Sequence, residues 1–451
     1  MSHLEELYAI AQKHNNSRSV TNGYMASAEY VQAQLAASAG DYCEVSTQEF
    51  KVPVWAELEI PELSSYGIAG GIWIHYKHMV DFQSFRYSGP STRLLKQAIH
   101  GMDDNGCNPQ EYVGVRGKVA VIEEGGPCES WDVAHRAEKA GATAVLFYNN
   151  PRRRLLLNTR IRITAWKEGD PLIQIPVLSI THSLGLTLLQ SKETAVLNIK
   201  TVNSQTVEST INVLCTTKEG SENDVIVLGS HLDSVPEGPG MVDNGSGSSS
   251  LLEIALVLAK AKYALGNKIV FAWWGAEEIG LLGSRHYVRE LVKDEEKKKQ
   301  VVMNMNFDML ASPNYVPFVH DGRTAPTDLV SASSKIDHLL IEYFENEKKK
   351  YEYTEMTSGS DFLPFLLEGI PSGGLLTGAG ERKTTEQRTR FGGFADAPLD
   401  PCYHKSCDTI ENVNKHALQL MSQAALYAVT KVAKADNLRQ WLVDTNVTLH
   451  Y

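Results

Sequence analysis

KIVFAWWGAEE, residues 268–278, is a short apolar run that ends in two adjacent glutamates, Glu277 and Glu278. Two comparable β-rich runs lie on either side of it along the chain, VIVLGSH (225–231) and VVMNMNFDM (301–309). Segments with the apolar spacing of helices, such as LLEIALVLAKAK and SRHYVRELV, separate the three runs. This alternation predicts an α/β fold built on a parallel sheet.

The ends of these runs carry the residues that point to chemistry. Adjacent carboxylates repel each other, which suggests that a cation neutralises one glutamate while the other handles protons. The first run ends in His231, the second in Glu277 and Glu278, and the third contains Asp308. Ligands of open α/β sheets bind beyond the carboxyl ends of the strands. One polar strand end commonly marks only the protein surface, but three together favour a binding site.

Two further candidates lie in loops. Asp243 is part of GPGMVDNGSGSSS, whose glycines and serines suit tight backbone geometry before a helix; a turn or helix-cap role is the alternative. His404 lies between Cys402 and Cys407, which are close enough in sequence to form a disulfide that would hold the histidine rigidly. Without the other candidates, it would be an ordinary loop histidine.

The five candidates match the ligand set of a pair of zinc ions. Zinc takes imidazole nitrogen and carboxylate oxygen, whereas calcium requires more oxygens and fewer histidines. Asp233, two residues after His231, is placed to accept the second imidazole N–H and to fix its tautomer. A surface role is the alternative for Asp233. The sequence therefore predicts two Zn²⁺ per chain.

Length and composition limit the class of protein. The 451 residues are enough for roughly two or three domains, and 43% of them are hydrophobic. The net charge of -11, from 43 basic and 54 acidic residues, argues against nucleic acid or an anionic membrane as a partner. No apolar run approaches the roughly 18 residues of a membrane span. MSHLEELYAIAQKHNNS lacks the apolar core of a signal peptide, so we expect either a cytosolic protein or a removed leader.

Several motifs occur in the order typical of one family. HLDSVPEGPGMVDNGSGSSS, FAWWGAEEIGLLGSRHY, NFDMLASPN, GGLLTGAG and CYHKSCDT resemble the co-catalytic zinc aminopeptidases of the bacterial secreted and fungal vacuolar type. The resemblance covers about 206–451 and the N-terminal helix and strand. It implies a zinc-exopeptidase fold, with a mostly parallel central sheet and helices on both faces. It also implies hydrolysis of the N-terminal residue from peptides with a free N-terminus.

The resemblance also implies a role for each site residue. Glu277 would be the general base that takes a proton from a metal-bound water. Tyr403 would hydrogen-bond the tetrahedral intermediate; packing beside the disulfide is its alternative role. The implied metal ligands are His231 and Asp308 for one zinc, Glu278 and His404 for the other, and Asp243 as the bridge.

The middle of the chain, about 58–205, resembles a protease-associated domain, which is a β-rich insert. The resemblance rests on GCNPQEYVGVRGKVAVIEEGGPCESWDVAHRAEKAGATAVLFYNN and IPVLSITHSLGLTLL. Substrate gating, partner contact and a purely structural lid are all compatible roles. The predicted domains are a first part of the peptidase domain at 1–57, the insert at 58–205 and the main part of the peptidase domain at 206–451.

The six cysteines bear on the compartment, because an even count favours disulfides weakly. Cys107 and Cys128 fall where the protease-associated domain often has a pair. Cys43 and Cys215 flank the insert and could pair if their strands are neighbours. If the cysteines around His404 are bridged, the protein belongs in an oxidising space. We then expect a secreted or vacuolar protein whose signal peptide is absent from this sequence.

One departure from the family concerns TSGSDFLPF. Bacterial relatives have an arginine before the aspartate, where this chain has Gly359 and Ser360 before Asp361. The change removes a cation from the wall of the site. Contacts that the family arginine would make with a substrate carboxylate, and any side-chain preference inferred from the family, are therefore in doubt. The oligomeric state stays open.

Three rival functions are weighed against an aminopeptidase. A carboxypeptidase on the same scaffold would keep all five ligands, but the missing arginine gives no support to carboxylate recognition. A glutaminyl cyclase would need only one zinc. A non-enzymatic, receptor-like binding protein should have lost ligands or the base, and none is missing.

Overall fold

The computed structural model describes residues 1–68, 71–102, 104–149, 168–356, 359–444 and 447–451. Contacts within these residues divide the chain into two compact units. Unit 1 comprises Met1–Phe50 and Ser209–Tyr451, and unit 2 comprises Lys51–Glu208. The boundaries predicted from the sequence, at 57/58 and 205/206, lie close to these divisions and stay a prediction.

The secondary structure of the described residues follows the α/β pattern. The strands are β1 (Cys43–Tyr66), β2 (Trp73–His75), β3 (Phe82–Ser84), β4 (Ser91–Met102), β5 (Val119–Glu123), β6 (Ala144–Tyr148), β7 (Val177–Ile180), β8 (Val196–Thr217), β9 (Ser221–His231), β10 (Asn267–Trp274), β11 (Val301–Phe307), β12 (Phe318–Asp321), β13 (Glu352–Glu355) and β14 (Ser372–Leu376). The helices are α1 (Ser2–Lys13), α2 (Tyr24–Ala39), α3 (Ser130–Lys139), α4 (His182–Gln190), α5 (Gly247–Lys260), α6 (Leu282–Leu291), α7 (Glu295–Gln300), α8 (Val330–Asn346), α9 (Leu363–Leu367), α10 (Thr385–Phe391), α11 (Lys415–Lys434) and α12 (Leu438–Val443). None of these helices combines the length and the apolar character that crossing a bilayer requires.

The sheet of unit 1 is mostly parallel, which confirms the predicted fold class. Its strand order is β8–β10–β9–β11–β14–β12–β13. Neighbouring strands run parallel from β10 through β9 and β11 to β14, and again between β12 and β13. The β8–β10 and β12–β14 pairs are antiparallel. The three strands predicted from the sequence, β9, β10 and β11, are therefore direct neighbours with their carboxyl ends at one edge.

Helices cover both faces of this sheet, as predicted. Along β9, Ile226 and Leu228 pack into a core with side chains from α2, α5, α8 and α11. The alternate residues Val225 and Val227 pack into a second core, which includes Tyr287 of α6. Successive strand residues point to opposite faces, so a strand buried on both sides is apolar throughout. This explains why VIVLGSH shows no polar alternation.

Unit 2 has its own smaller sheet and core. Strands β4, β5, β6 and β7 are parallel neighbours, and β3 pairs antiparallel with β7. Val121, Leu146 and Leu178 are fully buried in its core, together with Leu188 of α4. The β-rich insert predicted from the sequence is thus present. The part of it at residues 150–167 lies outside the described residues.

All six cysteines are paired in the structure. Cys43 and Cys215 join β1 to β8 in unit 1, with their Cα atoms 5.5 Å apart. Cys402 and Cys407 close the short loop around His404, with a Cα–Cα distance of 5.3 Å. In unit 2 the pair is Cys107 and Cys128.

Thiol titration provides a direct check of this pairing. Unfolded but unreduced protein should show essentially no reactive thiol, because each cysteine is used in a disulfide. After reduction the same preparation should show all six. Six reactive thiols before reduction would contradict the pairing.

Candidate metal centre and active site

The five residues predicted as metal ligands come together at the carboxyl edge of the unit 1 sheet. His231 is the last residue of β9, Asp308 directly follows β11, and Glu278 lies in the loop after β10. Asp243 lies at a non-helical kink within the segment Met241–Ser246, which leads into α5. His404 comes from the disulfide loop. The open end of a parallel sheet brings such distant residues to one place.

The ligand atoms form two adjacent groups that could each hold a metal ion. In one group His231, Glu277 and Asp308 offer atoms within 4.8 Å of one another, and in the other Asp243, Glu278 and His404 do so.

Asp243 connects the two groups through its two carboxylate oxygens. Its Oδ1 lies 3.2 Å from Nε2 of His231, and its Oδ2 lies 3.1 Å from Nε2 of His404. His404 Nε2 is also 3.0 Å from Oε2 of Glu278, and His231 Nε2 is 3.3 Å from Oδ1 of Asp308. A single carboxylate therefore faces both halves of the centre.

The electrostatics of the centre favour positive charge. Burial opposes protonation of His404, but hydrogen bonds to Asp243 and Glu278 outweigh it and raise its pKa to about 10. His231 is likewise buried, yet Asp308 and Glu277 raise its pKa well above the usual value. A histidine must be neutral to bind a metal, so cation binding would release these protons. Clustered carboxylates stabilise either protonated imidazoles or bound cations.

Glu277 differs from its neighbour in its surroundings. Burial, reinforced by the charges of Glu278 and Asp361, raises the pKa of Glu277 well above its usual value, although His231 opposes the shift. Oε2 of Glu277 lies 4.0 Å from Nε2 of His231, farther than the carboxylate oxygens of Asp243 and Asp308. A buried carboxylate with a raised pKa is suited to accepting and returning a proton.

Asp233 holds the two glutamates in place through their backbone. Its Oδ1 accepts the backbone N–H of Glu277 at 3.1 Å, and its Oδ2 accepts that of Glu278 at 3.2 Å. Nδ1 of His231 lies 3.2 Å from the main-chain oxygen of Asp233 and 3.6 Å from the carboxylate. The predicted orientation of the imidazole by the Asp233 carboxylate stays a prediction. The carboxylate also holds the backbone of the two glutamates.

Ser360 fixes Asp308, a contact that the sequence analysis missed. The Ser360 hydroxyl donates to Oδ2 of Asp308 at 2.6 Å and accepts from Nδ2 of Asn306 at 2.7 Å. Oδ1 of Asp308 is buried and accepts no hydrogen bond from the described residues. One oxygen is thus held while the other stays available to a cation.

A second missed network connects Asp243 with the disulfide loop. The buried carboxylate of Asp408 accepts the backbone N–H groups of Val242 and Asp243. Asn412 donates to both Asp408 and Asp400, at 3.0 and 2.9 Å. Asp400 in turn accepts the backbone N–H of the first disulfide cysteine at 2.8 Å. The positions of Asp243 and His404 are therefore coupled.

Arg18, from the N-terminal segment, supports the loop before Asp243. It is completely buried, and its guanidinium donates to the carbonyl oxygens of Leu232, Pro239 and Gly240. Burial lowers the pKa of Arg18 to about 10, so it stays charged. The guanidinium N–H groups of Arg18 donate to main-chain carbonyl oxygens, so Arg18 stabilises the loop before Asp243.

The backbone is strained at one site residue and directly next to two others. Ala276, Met309 and His404 have φ values of 60°, 51° and 57°, in the left-handed region that non-glycine residues rarely adopt. Each such residue costs on the order of 1–3 kcal/mol and persists only when its surroundings hold it. Strain of this kind is common at functional sites.

Tyr403 and the surrounding side chains enclose a cavity of about 160 Å³ over the centre. The Tyr403 ring stacks on the imidazole of His404, with the ring centroids 3.8 Å apart. Burial and the charge of Asp243 raise the pKa of Tyr403 above its usual value, so its hydroxyl remains a donor. Besides the residues already named, the wall includes Met309, His320, Thr354, Glu355, Phe362, Leu376 and Ala379.

Family models match both parts of the chain. The model of Peptidase family M28 matches residues 212–429, and the PA domain model matches residues 92–188. These matches cover the residues of the candidate centre and much of unit 2, respectively.

Curated relatives match over almost the whole chain. A probable lipoprotein aminopeptidase, LpqL, of Mycobacterium tuberculosis is 35% identical, covering 95% of this chain and 83% of the relative. An aminopeptidase of Pseudomonas aeruginosa is also 35% identical, covering 95% of this chain and 79% of the relative. Leucine aminopeptidase 2 of Trichophyton rubrum is 31% identical, covering 96% of this chain and 84% of the relative.

Solved structures share the fold at lower identity. An aminopeptidase from Aneurinibacillus sp. strain AM-1 superposes with a TM-score of 0.69 at 23% identity, covering 96% of this chain and 94% of that one. The zinc aminopeptidase BSAP from Bacillus subtilis gives a TM-score of 0.58 at 24% identity, covering 96% and 95%. Fold, family models and full-length relatives agree, and the chain is a peptide hydrolase that belongs to peptidase family M28 and carries a PA domain.

Proposed function

We propose that the protein is a zinc-dependent aminopeptidase that removes the N-terminal residue from peptides, using a water molecule and Glu277 as general base. The observation that carries the proposal is the position of Asp243, whose two oxygens each face one histidine of the centre. A centre built around one shared carboxylate suits two cations.

The donor set fits zinc, because imidazole nitrogen and carboxylate oxygen are ligands that Zn²⁺ prefers. His231 and Asp308 would hold one ion, and Glu278 and His404 would hold the other, with Asp243 shared between them. When bound, zinc ions would supply a Lewis acid and lower the pKa of a bound water to about 7. Oδ1 of Asp308, which accepts no hydrogen bond from the described residues, supports this assignment.

Glu277 would take the proton of the attacking water and return it to the leaving amine. Its burial and raised pKa suit both transfers, because a carboxylate that holds a proton more readily than usual can take it from water and pass it on. Asp233 supports the role by fixing the Glu277 backbone. Glu278 is assigned to the metal because its carboxylate contacts His404 at 3.0 Å.

Tyr403 would donate its hydroxyl to the oxygen on which negative charge develops. The hydroxyl stays protonated because burial raises its pKa, and a pre-oriented donor stabilises such charge. Its stacking on His404 keeps it next to the centre.

The cavity wall favours a substrate ammonium group over a carboxylate group. No lysine or arginine occurs among the described residues that line the cavity, whereas the four carboxylates of the metal centre do line it. A carboxypeptidase needs a cation for the C-terminal carboxylate, and the wall described here supplies none. The full ligand set and base likewise disfavour a one-zinc cyclase or a non-enzymatic binding protein.

Blocking the substrate amine tests this direction. Leucine p-nitroanilide should be cleaved with a kcat/KM about 10- to 100-fold higher than its N-acetyl form, because acetylation removes a charge-assisted interaction of about 1.5–3 kcal/mol. A chelator should abolish the activity, and added zinc should restore it. Equal cleavage of the blocked substrate, or release of residues from the C-terminus of a peptide, would refute the aminopeptidase assignment.

We also propose a secreted or vacuolar location. The three disulfides support it, because such bonds persist in oxidising compartments. Peptides with a free N-terminus are the proposed partners, and the excess of acidic residues disfavours nucleic acid.

A further inference from the structure

Beyond the metal centre, the cavity has a second region with a different chemistry. Met309, Phe362 and Leu376 provide an apolar wall next to Asp308. Glu355, the last residue of β13, lines the same cavity and is exposed to solvent. A cavity that offers both an apolar wall and a carboxylate matches a side chain with an aliphatic stem and a cationic end.

The charge of Glu355 is not used elsewhere in the described structure. No ion pair to it occurs there, and the nearby guanidinium of Arg323 pairs with Asp321 at 2.7 Å. Two divalent cations would balance the four carboxylates of the metal centre, which leaves Glu355 as the cavity carboxylate without a counter-charge. A bound cation is the natural partner for this group.

His320 gives an independent indication that the cavity wall receives a polar ligand. Its ring is only 4% exposed, lines the cavity and packs against Phe362, with the centroids 4.9 Å apart. Neither ring nitrogen has a hydrogen-bond partner among the described residues. Burial lowers the pKa of His320 to about 4, so the ring is neutral and does not repel a cation. A neutral imidazole retains one acceptor nitrogen.

We propose that this region binds the first side chain of the substrate and selects lysine and arginine, with Glu355 pairing with the side-chain cation and His320 offering a neutral acceptor. The inference rests on the proposed aminopeptidase function and names its substrate class. Met309 and Leu376 contact the aliphatic stem.

Matched substrates isolate the side-chain charge. Lysine and norleucine aminoacyl coumarins have a four-carbon unbranched stem in common, and only lysine carries the terminal ammonium. The wild-type enzyme should cleave the lysine substrate with a kcat/KM about fivefold or more above that of norleucine at low salt, and the ratio should fall as salt rises. Glu355→Gln should bring the ratio close to one, because it should lower the kcat/KM of the lysine substrate far more than that of the norleucine substrate. Glu347→Gln, which removes a carboxylate outside the cavity wall, should leave the ratio as in the wild type.

Other outcomes are decisive as well. An equal loss with both substrates in Glu355→Gln would overturn the proposal, since it would place the carboxylate on the common α-ammonium. A wild-type preference for norleucine, or a ratio that Glu355→Gln does not change, would also overturn it. Failure of the protein to cleave either substrate would instead count against the aminopeptidase function itself.

Discussion

Glu277→Gln is expected to lower kcat by about 10²–10⁴-fold while the protein keeps its full complement of zinc. The amide has the shape of the carboxylate but cannot accept a proton from water or return it to the leaving amine. The backbone N–H of residue 277 still donates to Asp233, so the loop after β10 should keep its position. Steady-state kinetics and metal analysis of the same preparation check both parts.

The neighbouring glutamate provides the matched control. Glu278→Gln changes the same functional group one residue away, yet it should lose zinc because this carboxylate contacts His404 within the second ligand group. If Glu277→Gln turned over substrate near the wild-type rate, Glu277 would not be the base. If instead Glu277→Gln lost zinc, its carboxylate would belong with His231 and Asp308 as a ligand, which the first ligand group also allows.

Asp243→Asn is expected to weaken both zinc ions together and to abolish most of the activity. The two carboxylate oxygens face different histidines, and an amide replaces one of these oxygens with a donor that cannot bind a cation. Competition with a graded series of chelators should therefore show both ions leaving at lower chelator strength than from the wild type.

Asp308→Asn is the comparison that separates bridging from ordinary ligation. Asp308 contacts only the half of the centre that contains His231, so its substitution should weaken one ion more than the other. Full zinc occupancy in Asp243→Asn would contradict the bridge. A loss of one ion alone would assign Asp243 to a single metal.

The strand-end residues were predictable because their signal is local. In β9, β10 and β11 an apolar run indicates a strand that is buried on both faces. The first polar residue after the run indicates the edge of the sheet. His231, Glu278 and Asp308 could therefore be assigned to one place before any coordinates were known. The glycines and serines around Asp243 carried a comparable local signal.

The supporting contacts could not be predicted, because they join residues that are far apart in sequence. Ser360 binds a carboxylate 52 residues away, and Asp408 binds the backbone of Asp243 across 165 residues. No periodicity or spacing encodes such a pair. Glu355 and His320 were also missed. Each lies on a short strand, and nothing in the sequence of β12 or β13 indicates that these side chains line the cavity. Asp233 was predicted as a supporting residue, but its hydrogen bonds to the backbone of Glu277 and Glu278 were not. They depend on the conformation of the loop after β10.

The Cys43–Cys215 bridge, between two residues of unit 1, closes a covalent ring that contains all of unit 2. The two cysteines are 172 positions apart, and the whole of 51–208 lies between them. A loop of this length stabilises the folded state by on the order of 5 kcal/mol through lost chain entropy. A protease that cuts inside the ring leaves the two segments of unit 1 joined, so nicked molecules separate only after reduction.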